Sequence, residues 1–483
     1  MKIDLQTDIL IIGAGISGIG AACHLERKNE NKSYIILESR KEIGGTWSLF
    51  NYPGIRSDSD MYTFGYSFKT WDDPQSFADG PNILKYLQSA VDDFKINDKI
   101  KFNCTVYHVN FNKTKNKWTI KYYDKFRNQE RIIESSKIFS CTGYYNYKEA
   151  HLPNYKNSDS FKGKIIHPQF WPKNLDYNNK KVAVIGSGAT AVTLVPAMSK
   201  LTSNIVMIQR SPTYIGAFPN KDAVSIFLKK VLPKKLAHKL IRFKNIVLQI
   251  LFFQACKMLP KLMKKWIINN AKKRLGKFPV KPHFEPKYNP WDQRFCVAPD
   301  GDLFKCLRKG KAEIMTDQID SFYRNGIKLK SGKKIEVDII ISATGLKLLA
   351  FGDIKITIDD IPFNPSKSTT YKGLMLSGLP NWIFFAGYTN ASWTLKSDLT
   401  SEYASRLIKI MDKKGYSSFV ALTNGDKMEA IPLLNLNSGY INRSSNTFPK
   451  QGSKLPWRLY QNYFFDYKML RINKIEDKFL SFI

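Results

Sequence analysis

Gly13-Ala14-Gly15-Ile16-Ser17-Gly18 lies between an apolar run, Ile9-Leu10-Ile11-Ile12, and an Ala-rich stretch of helical composition. Glycines at this spacing let the backbone turn tightly and approach a pyrophosphate. The helix that follows offers that anion free N–H groups and partial positive charge. Glu38 comes 20 residues after Gly18, at the end of a second apolar run, Tyr34-Ile35-Ile36-Leu37. A carboxylate there accepts hydrogen bonds from both hydroxyls of a nucleotide ribose and repels a 2′-phosphate. Strand, glycine turn, helix, strand and acid read together as an adenine-dinucleotide site.

The pattern returns about 170 residues later, as Val182-Ala183-Val184-Ile185 followed by Gly186-Ser187-Gly188-Ala189-Thr190-Ala191. Alanine in place of the third glycine is permitted in this fingerprint. The second strand of this unit, Ile205-Val206-Met207-Ile208, runs into Gln209-Arg210-Ser211 and carries no acid. Arg210 supplies a cation and Ser211 a hydroxyl where a 2′-phosphate would lie. The first site therefore favours a nucleotide with a free ribose and the second favours NADP. One chain with both predicts FAD in the first and NADPH in the second, with a hydride passing between them.

Two such sites need a scaffold. Continuous apolar strands of this kind belong to parallel sheets covered on both faces. The expected fold is α/β, with two Rossmann-like dinucleotide-binding domains. Residues 1–155 form the first part of the FAD domain and 156–345 the NADP domain, and 346–483 return to the FAD domain with a C-terminal extension. Lys101 to Ile138 reads as short strands with Lys/Asn turns, and Thr142-Gly143 and Thr344-Gly345 as points where the chain passes between domains. From about 220 to 275 the chain is Lys-rich, apolar at helical spacing and nearly free of glycine, which predicts amphipathic helices inserted in the NADP domain. The C-terminal aromatics Trp457, Tyr460, Tyr463, Phe464, Phe465 and Tyr467 predict a packed extension.

A length of 483 residues calls for two or three domains. Apolar residues at 43% and charged residues at 24% are those of an ordinary soluble globular protein. The net charge of +34 needs a reason. Dispersed lysines and the lack of any RNA- or DNA-binding module favour solvated basic faces, so no nucleic-acid partner is expected. The basic helices can also lie on an anionic membrane surface, which adds peripheral membrane contact to the expectations. Six cysteines without a CxxC pair or regular spacing argue against a disulfide framework or a metal site and for a reducing cytosol. The N-terminal apolar run leads straight into the glycine loop and reads as a buried strand, not a signal peptide. Ile246 to Cys256 is too short to span a bilayer.

Phe161-Lys162-Gly163-Lys164-Ile165-Ile166-His167-Pro168-Gln169-Phe170-Trp171-Pro172 fits FxGxxxHxxxWP. Gly44-Gly45-Thr46-Trp47 through Tyr52-Pro53-Gly54 to Asp58 fits [AG]GxWxxxx[FY]P[GM]xxxD. In both, the chain resembles the Baeyer–Villiger monooxygenases of the class B flavoprotein monooxygenases. Trp291-Asp292-Gln293-Arg294 and Asn390-Ala391-Ser392-Trp393-Thr394-Leu395 resemble the subgroup with the bacterial ethionamide-activating enzyme. The resemblance implies that NADPH reduces FAD, that O2 adds to the reduced flavin, and that the peroxyflavin attacks a ketone or a thioether.

It also implies residue roles. Arg294 is the catalytic cation that steadies the peroxide and the charge growing on the substrate oxygen. Asp58 orients that arginine beside the flavin. Where the family usually has a lysine before this arginine, Gln293 stands here, which shifts NADP selectivity towards Arg210. Trp47 packs near the flavin, and Ser17, Thr46 and Val106 join the cofactor contacts. His167 and Trp171 take a conformational role. The alternatives are a flavin-containing monooxygenase that oxidises soft nitrogen or sulfur, and a non-catalytic basic binding protein. A disulfide reductase would need a redox cysteine pair, and none is present.

Overall fold

In the computed structural model, residues 3–425, 428–434, 439–444 and 446–483 are described. Two sheets carry the architecture. The larger has nine strands, ordered Ile361–Pro362, Lys355–Ile358, Cys104–Asn112, Lys117–Asp124, Gln129–Ser140, Leu5–Ile12, Tyr34–Leu37 and Ile100–Lys101, with Trp382–Phe384 also paired to Gln129–Ser140. Leu5–Ile12 runs parallel to both its neighbours, as a βαβ unit requires. The strand Gln129–Ser140 gives one edge to Leu5–Ile12. Its other edge is shared between the antiparallel Lys117–Asp124 and the parallel Trp382–Phe384. Strands from both ends of the sequence thus build one sheet.

The second sheet is all parallel: Glu313–Thr316, Asn204–Gln209, Lys181–Ile185, Ile339–Ser342 and Lys164–Ile166. Its central strands bury Val182, Val184, Ile205, Met207, Ile340 and Ile341, the two-sided burial that a continuous apolar run implies. The α/β expectation with two dinucleotide-type sheets holds.

The segment from Lys101 to Ile138 departs from the reading of short strands. Cys104–Asn112, Lys117–Asp124 and Gln129–Ser140 form a meander of 9-, 8- and 12-residue strands. Every second residue of Lys117–Asp124 is buried (Trp118, Ile120, Tyr122 and Asp124), so lysines on the other face blur the apolar signal without breaking the strand.

Three helices, Ala223–Val231, Lys234–Met258 and Pro260–Leu275, occupy the predicted insertion. They lie between the short strands Ile215–Gly216 and Cys296–Val297, which pair with each other and close the excursion. The long helix is bolted to the first unit by polar contacts. Arg242, buried, donates to the carbonyls of Tyr62 and Gly65 at 2.7 Å each and pairs with Asp398 at 3.2 Å. Asn245 and Gln249 donate to Asp60. His24 is fully buried, with Nε2 3.3 Å from Asp398 and Nδ1 3.8 Å from Glu402, both on the helix Trp393–Lys414. Among the described residues no single helix is long and apolar enough to cross a membrane. The pair Lys234–Met258 and Pro260–Leu275 meets that test only when joined across a 117° bend.

Candidate active site

The first glycine loop leaves Leu5–Ile12 at Gly13 and enters the helix Ile16–Lys28. A Cβ on Gly18 would sit 1.9 Å from the carbonyl oxygen of Gly13, so only glycine lets the helix seat this closely on the loop. Glu38 is buried, with Oε2 accepting from the Ala14 amide at 2.7 Å and Oε1 from the Arg40 amide at 2.9 Å. Burial raises its carboxyl above the ordinary range, and those two amides oppose the rise. A carboxylate has about four acceptor positions, so two amides and the Ser39 hydroxyl at 3.4 Å still leave capacity for a ribose hydroxyl.

The second loop, Gly186 to Gly188, opens the helix Ala189–Met198. Arg210 and Ser211 follow the strand Asn204–Gln209 and are exposed. Among the described residues Arg210 has no carboxylate within ion-pair distance, which leaves its guanidinium available to a phosphate. The second fingerprint bridges the two units. Tyr52-Pro53-Gly54 lies on the helix Ala189–Met198, where a Cβ on Gly54 would come 2.6 Å from Ala197 Cβ and 3.1 Å from the Thr193 carbonyl. Burial pushes the Tyr52 phenol up to about 12, and the neighbouring Thr190 opposes the rise.

One cavity of about 1270 Å³ joins both loops. Its walls include Gly13, Gly15, Ser17, Glu38, Thr46, Trp47 and Val106 on one side, and Gly186, Ser187, Gly188, Ala189, Thr190, Arg210 and Ser211 on the other. That volume exceeds the roughly 300–1,000 Å³ of a pocket for one small ligand. Two glycine loops, a ribose-type acid and an unpaired arginine in one space fit two dinucleotides.

Asp58 and Arg294 meet in the wall of the same cavity. Arg294 Nη2 donates to Asp58 Oδ2 at 2.8 Å, with Nε at 3.3 Å from the same oxygen. Both side chains are half-buried. A second, apolar pocket adjoins them and is also lined by Arg294, with Tyr144, Phe351, Phe384, Trp393 and Phe448. Sequence reasoning missed Tyr144. Its ring stacks on Trp393 at 5.1 Å and 15°, and its hydroxyl lies 2.9 Å from that of Tyr145. It follows directly on Thr142-Gly143, the strand end where an aromatic could have been sought. Ser17 is committed as well: its Oγ accepts from the indole N–H of Trp393 at 2.8 Å.

Gly18, His167 and Trp171 do not line the cavity. His167 is buried and uses both ring nitrogens. Nδ1 accepts from the Gln169 amide at 3.1 Å and Nε2 donates to the Gly345 carbonyl at 3.1 Å. Burial lowers its pKa and the Gly345 carbonyl opposes that, so the ring is neutral at pH 7. Trp171 meets Tyr177 edge-on at 6.4 Å.

Residues 6–358 match the model of a family described as flavin-binding monooxygenase-like. The FAD-containing monooxygenase EthA of Mycolicibacterium smegmatis is 46% identical over 477 residues, covering 98% of this chain and 96% of its own. The probable FAD-binding monooxygenase AlmA of Acinetobacter baylyi is 48% identical over 480 residues, covering 98% and 96%. Among solved structures, oxidised steroid monooxygenase bound to NADP aligns with a TM-score of 0.78 at 19% identity, covering 99% of both chains. OTEMO in complex with FAD and NADP aligns with a TM-score of 0.70 at 21% identity, covering 86% of this chain and 88% of its own. By the family match and by relatives of this similarity and coverage, the chain belongs to the flavin-binding monooxygenase-like family.

Proposed function

We propose that this protein is an NADPH- and O2-dependent FAD monooxygenase that carries out Baeyer–Villiger oxidation, converting ketones to esters or lactones. The observation that carries this reading is the Asp58-held Arg294 in a cavity shared by the two nucleotide loops. FAD held there would supply the redox chemistry, hydride acceptance and oxygen activation.

The chain's own residues do the rest. The N-termini of the helices Ile16–Lys28 and Ala189–Met198 receive the two pyrophosphates. Glu38 accepts the ribose hydroxyls of FAD, and Arg210 with Ser211 recognises the 2′-phosphate of NADPH. Arg294 stays charged at any working pH and offers N–H groups to a carbonyl oxygen as it gains negative charge. Asp58 fixes the rotamer in which it does so. An amine or thioether develops no oxyanion of its own, so a fixed cation at this point favours ketones over soft heteroatoms.

As in the sequence expectation, 1–155 and 346–483 are read as the FAD-binding part and 156–345 as the NADP-binding part. The partners are a small ketone or thioether with O2 and, through the basic helices, a membrane surface. Six unpaired, buried cysteines support a reducing, cytoplasmic setting.

The test is NADPH consumption by the flavin-loaded protein against linear, cyclic and aryl ketones and thioethers, with products identified by mass. Esters or lactones are expected. A protein that refuses FAD supplied in excess overturns the whole reading, and sulfoxides without any ester overturn the ketone assignment.

A further inference from the structure

Among the described residues, nothing covers the apolar surface of the helices Ala223–Val231, Lys234–Met258 and Pro260–Leu275. Val224, Phe227 and Val231 are each more than half exposed, as are Phe243, Leu248, Leu251 and Met258. Leu236, Leu240, Phe243, Leu251 and Met258 fall at intervals that return to one side of an α-helix, so they form a stripe along the whole length of Lys234–Met258. The stripe continues past the bend through Leu259, Leu262 and Trp266. It also spreads onto a second part of the chain: the Phe243 ring lies 6.3 Å from that of Phe464, and Phe464 and Phe465 are themselves exposed.

The opposite side of the long helix is held in place. Ala237, Ile241, Arg242 and Ile246 are buried, and Arg242 is fixed by the carbonyls of Tyr62 and Gly65 and by Asp398. The stripe cannot turn inwards without breaking a buried ion pair.

Charge identifies what would cover it. Residues 223–275 contain twelve lysines and two arginines and no aspartate or glutamate. Among the described residues Lys230, Lys235, Lys239, Lys261 and Lys265 have no carboxylate within ion-pair distance. An apolar helical stripe edged by unpaired lysines matches the interface of a bilayer rich in anionic lipid, where acyl chains take the apolar side chains and phosphates take the ammonium groups. A protein partner complementary to so uniform a field would need a comparably acidic face.

We infer that these helices, with Phe464 and Phe465, dock the protein on the surface of an anionic phospholipid bilayer without crossing it. This rests on the patch alone and not on the catalytic reading.

The test uses the full-length, flavin-loaded protein and sedimentation with vesicles of phosphatidylcholine, with or without phosphatidylglycerol. Co-sedimentation with the phosphatidylglycerol vesicles is expected, weakened by high salt and far weaker on phosphatidylcholine alone. The variant Phe227→Ser/Phe243→Ser/Leu251→Ser/Trp266→Ser changes only exposed positions. It should keep its flavin absorbance and NADPH oxidation in solution while partitioning ~10-fold or more weakly. A second variant, Lys235→Gln/Lys239→Gln/Lys261→Gln/Lys265→Gln, should lose the preference for anionic vesicles. Wild-type protein that stays in the supernatant with both vesicle types overturns the inference, as does an apolar variant that binds as wild type does. A wild-type dimer that the apolar variant converts to monomer, with no vesicle binding by either, would assign the patch to a second copy of the chain instead.

Discussion

Asp58 and Arg294 stand 236 positions apart in the chain and meet at 2.8 Å in the cavity wall. Asp58 closes the Gly44–Asp58 fingerprint, in the loop before the helix Met61–Phe64, and Arg294 lies in the loop that ends the helical insertion. Neither is deeply buried, so the contact itself adds little to stability. Its consequence is geometric, since a guanidinium held through Nε and Nη2 keeps one face towards the cavity.

That geometry predicts a separation of half-reactions. Arg294→Ala should leave reduction of bound flavin by NADPH near the wild-type rate and lower ester formation by about 10²–10³-fold, the scale for losing one donor to a developing oxyanion. Asp58→Asn should fall between the two, with Arg294 still charged but less well aimed. Stopped-flow reduction and product yield measure the halves separately. Normal ester formation by Arg294→Ala would remove it from the mechanism.

Arg210 predicts coenzyme selectivity. It has no carboxylate partner among the described residues, so its substitution should not disturb the fold. A hydrogen bond to a charged group is worth about 1.5–3 kcal/mol, so Arg210→Ala should raise KM for NADPH roughly 10- to 100-fold and leave that for NADH nearly unchanged. Equal changes for both coenzymes would count against a 2′-phosphate contact.

The parts of this architecture legible in sequence are those with a local signal. Ile9 to Ile12 and Val182 to Ile185 announce buried parallel strands because every residue is apolar, and the glycines that follow have few other uses. The length of the meander strands is masked in sequence because Lys117, Thr119, Lys121 and Tyr123 lie on the less buried face and dilute the alternation. The insertion helices were visible from their spacing, but where they dock was not. The docking depends on Arg242, Asn245 and Gln249 reaching Tyr62, Asp60 and Gly65, and single polar residues carry no periodicity. The Asp58–Arg294 pair was legible through family resemblance and not through spacing, since nothing local to either residue points to the other.

Asp398 predicts an acid-dependent loss of stability. Burial alone would raise its carboxyl, but the hydrogen bond and charge of His24, the Arg242 guanidinium and the Ser67 amide outweigh it and hold the pKa below the ordinary 3.8. A carboxyl whose folded pKa is depressed contributes fully above its unfolded value and loses that contribution as pH falls through the folded one. Asp398→Asn should therefore cost about 3–5 kcal/mol at pH 7, the scale for stranding one member of a buried pair. Its difference from wild type should shrink progressively as pH falls from about 5 through the folded pKa. Urea unfolding followed by flavin release and tryptophan fluorescence would show this. A difference that vanishes between pH 6 and 8 would assign the effect to another group.

His167 is the histidine of the FxGxxxHxxxWP segment, and a histidine near an active site invites assignment as a base. The hydrogen bonds decide otherwise. Nδ1 is occupied by the Gln169 amide and Nε2 by the Gly345 carbonyl, and the side chain does not line the cavity. Protonation would give the ring its second N–H, at Nδ1 and directly opposed to the Gln169 N–H, and burial already disfavours the charged form. The ring thus links the segment before Lys181–Ile185 to the Thr344-Gly345 strand end, where the chain leaves the second sheet. His167→Ala should lower kcat and raise KM for NADPH together, as loss of alignment between the two units would, and leave the shape of the pH–rate profile unchanged. His167→Gln, which can keep one of the two bonds, should recover part of the activity. A variant whose profile loses one ionisation limb, with KM unaltered, would restore the histidine to proton transfer.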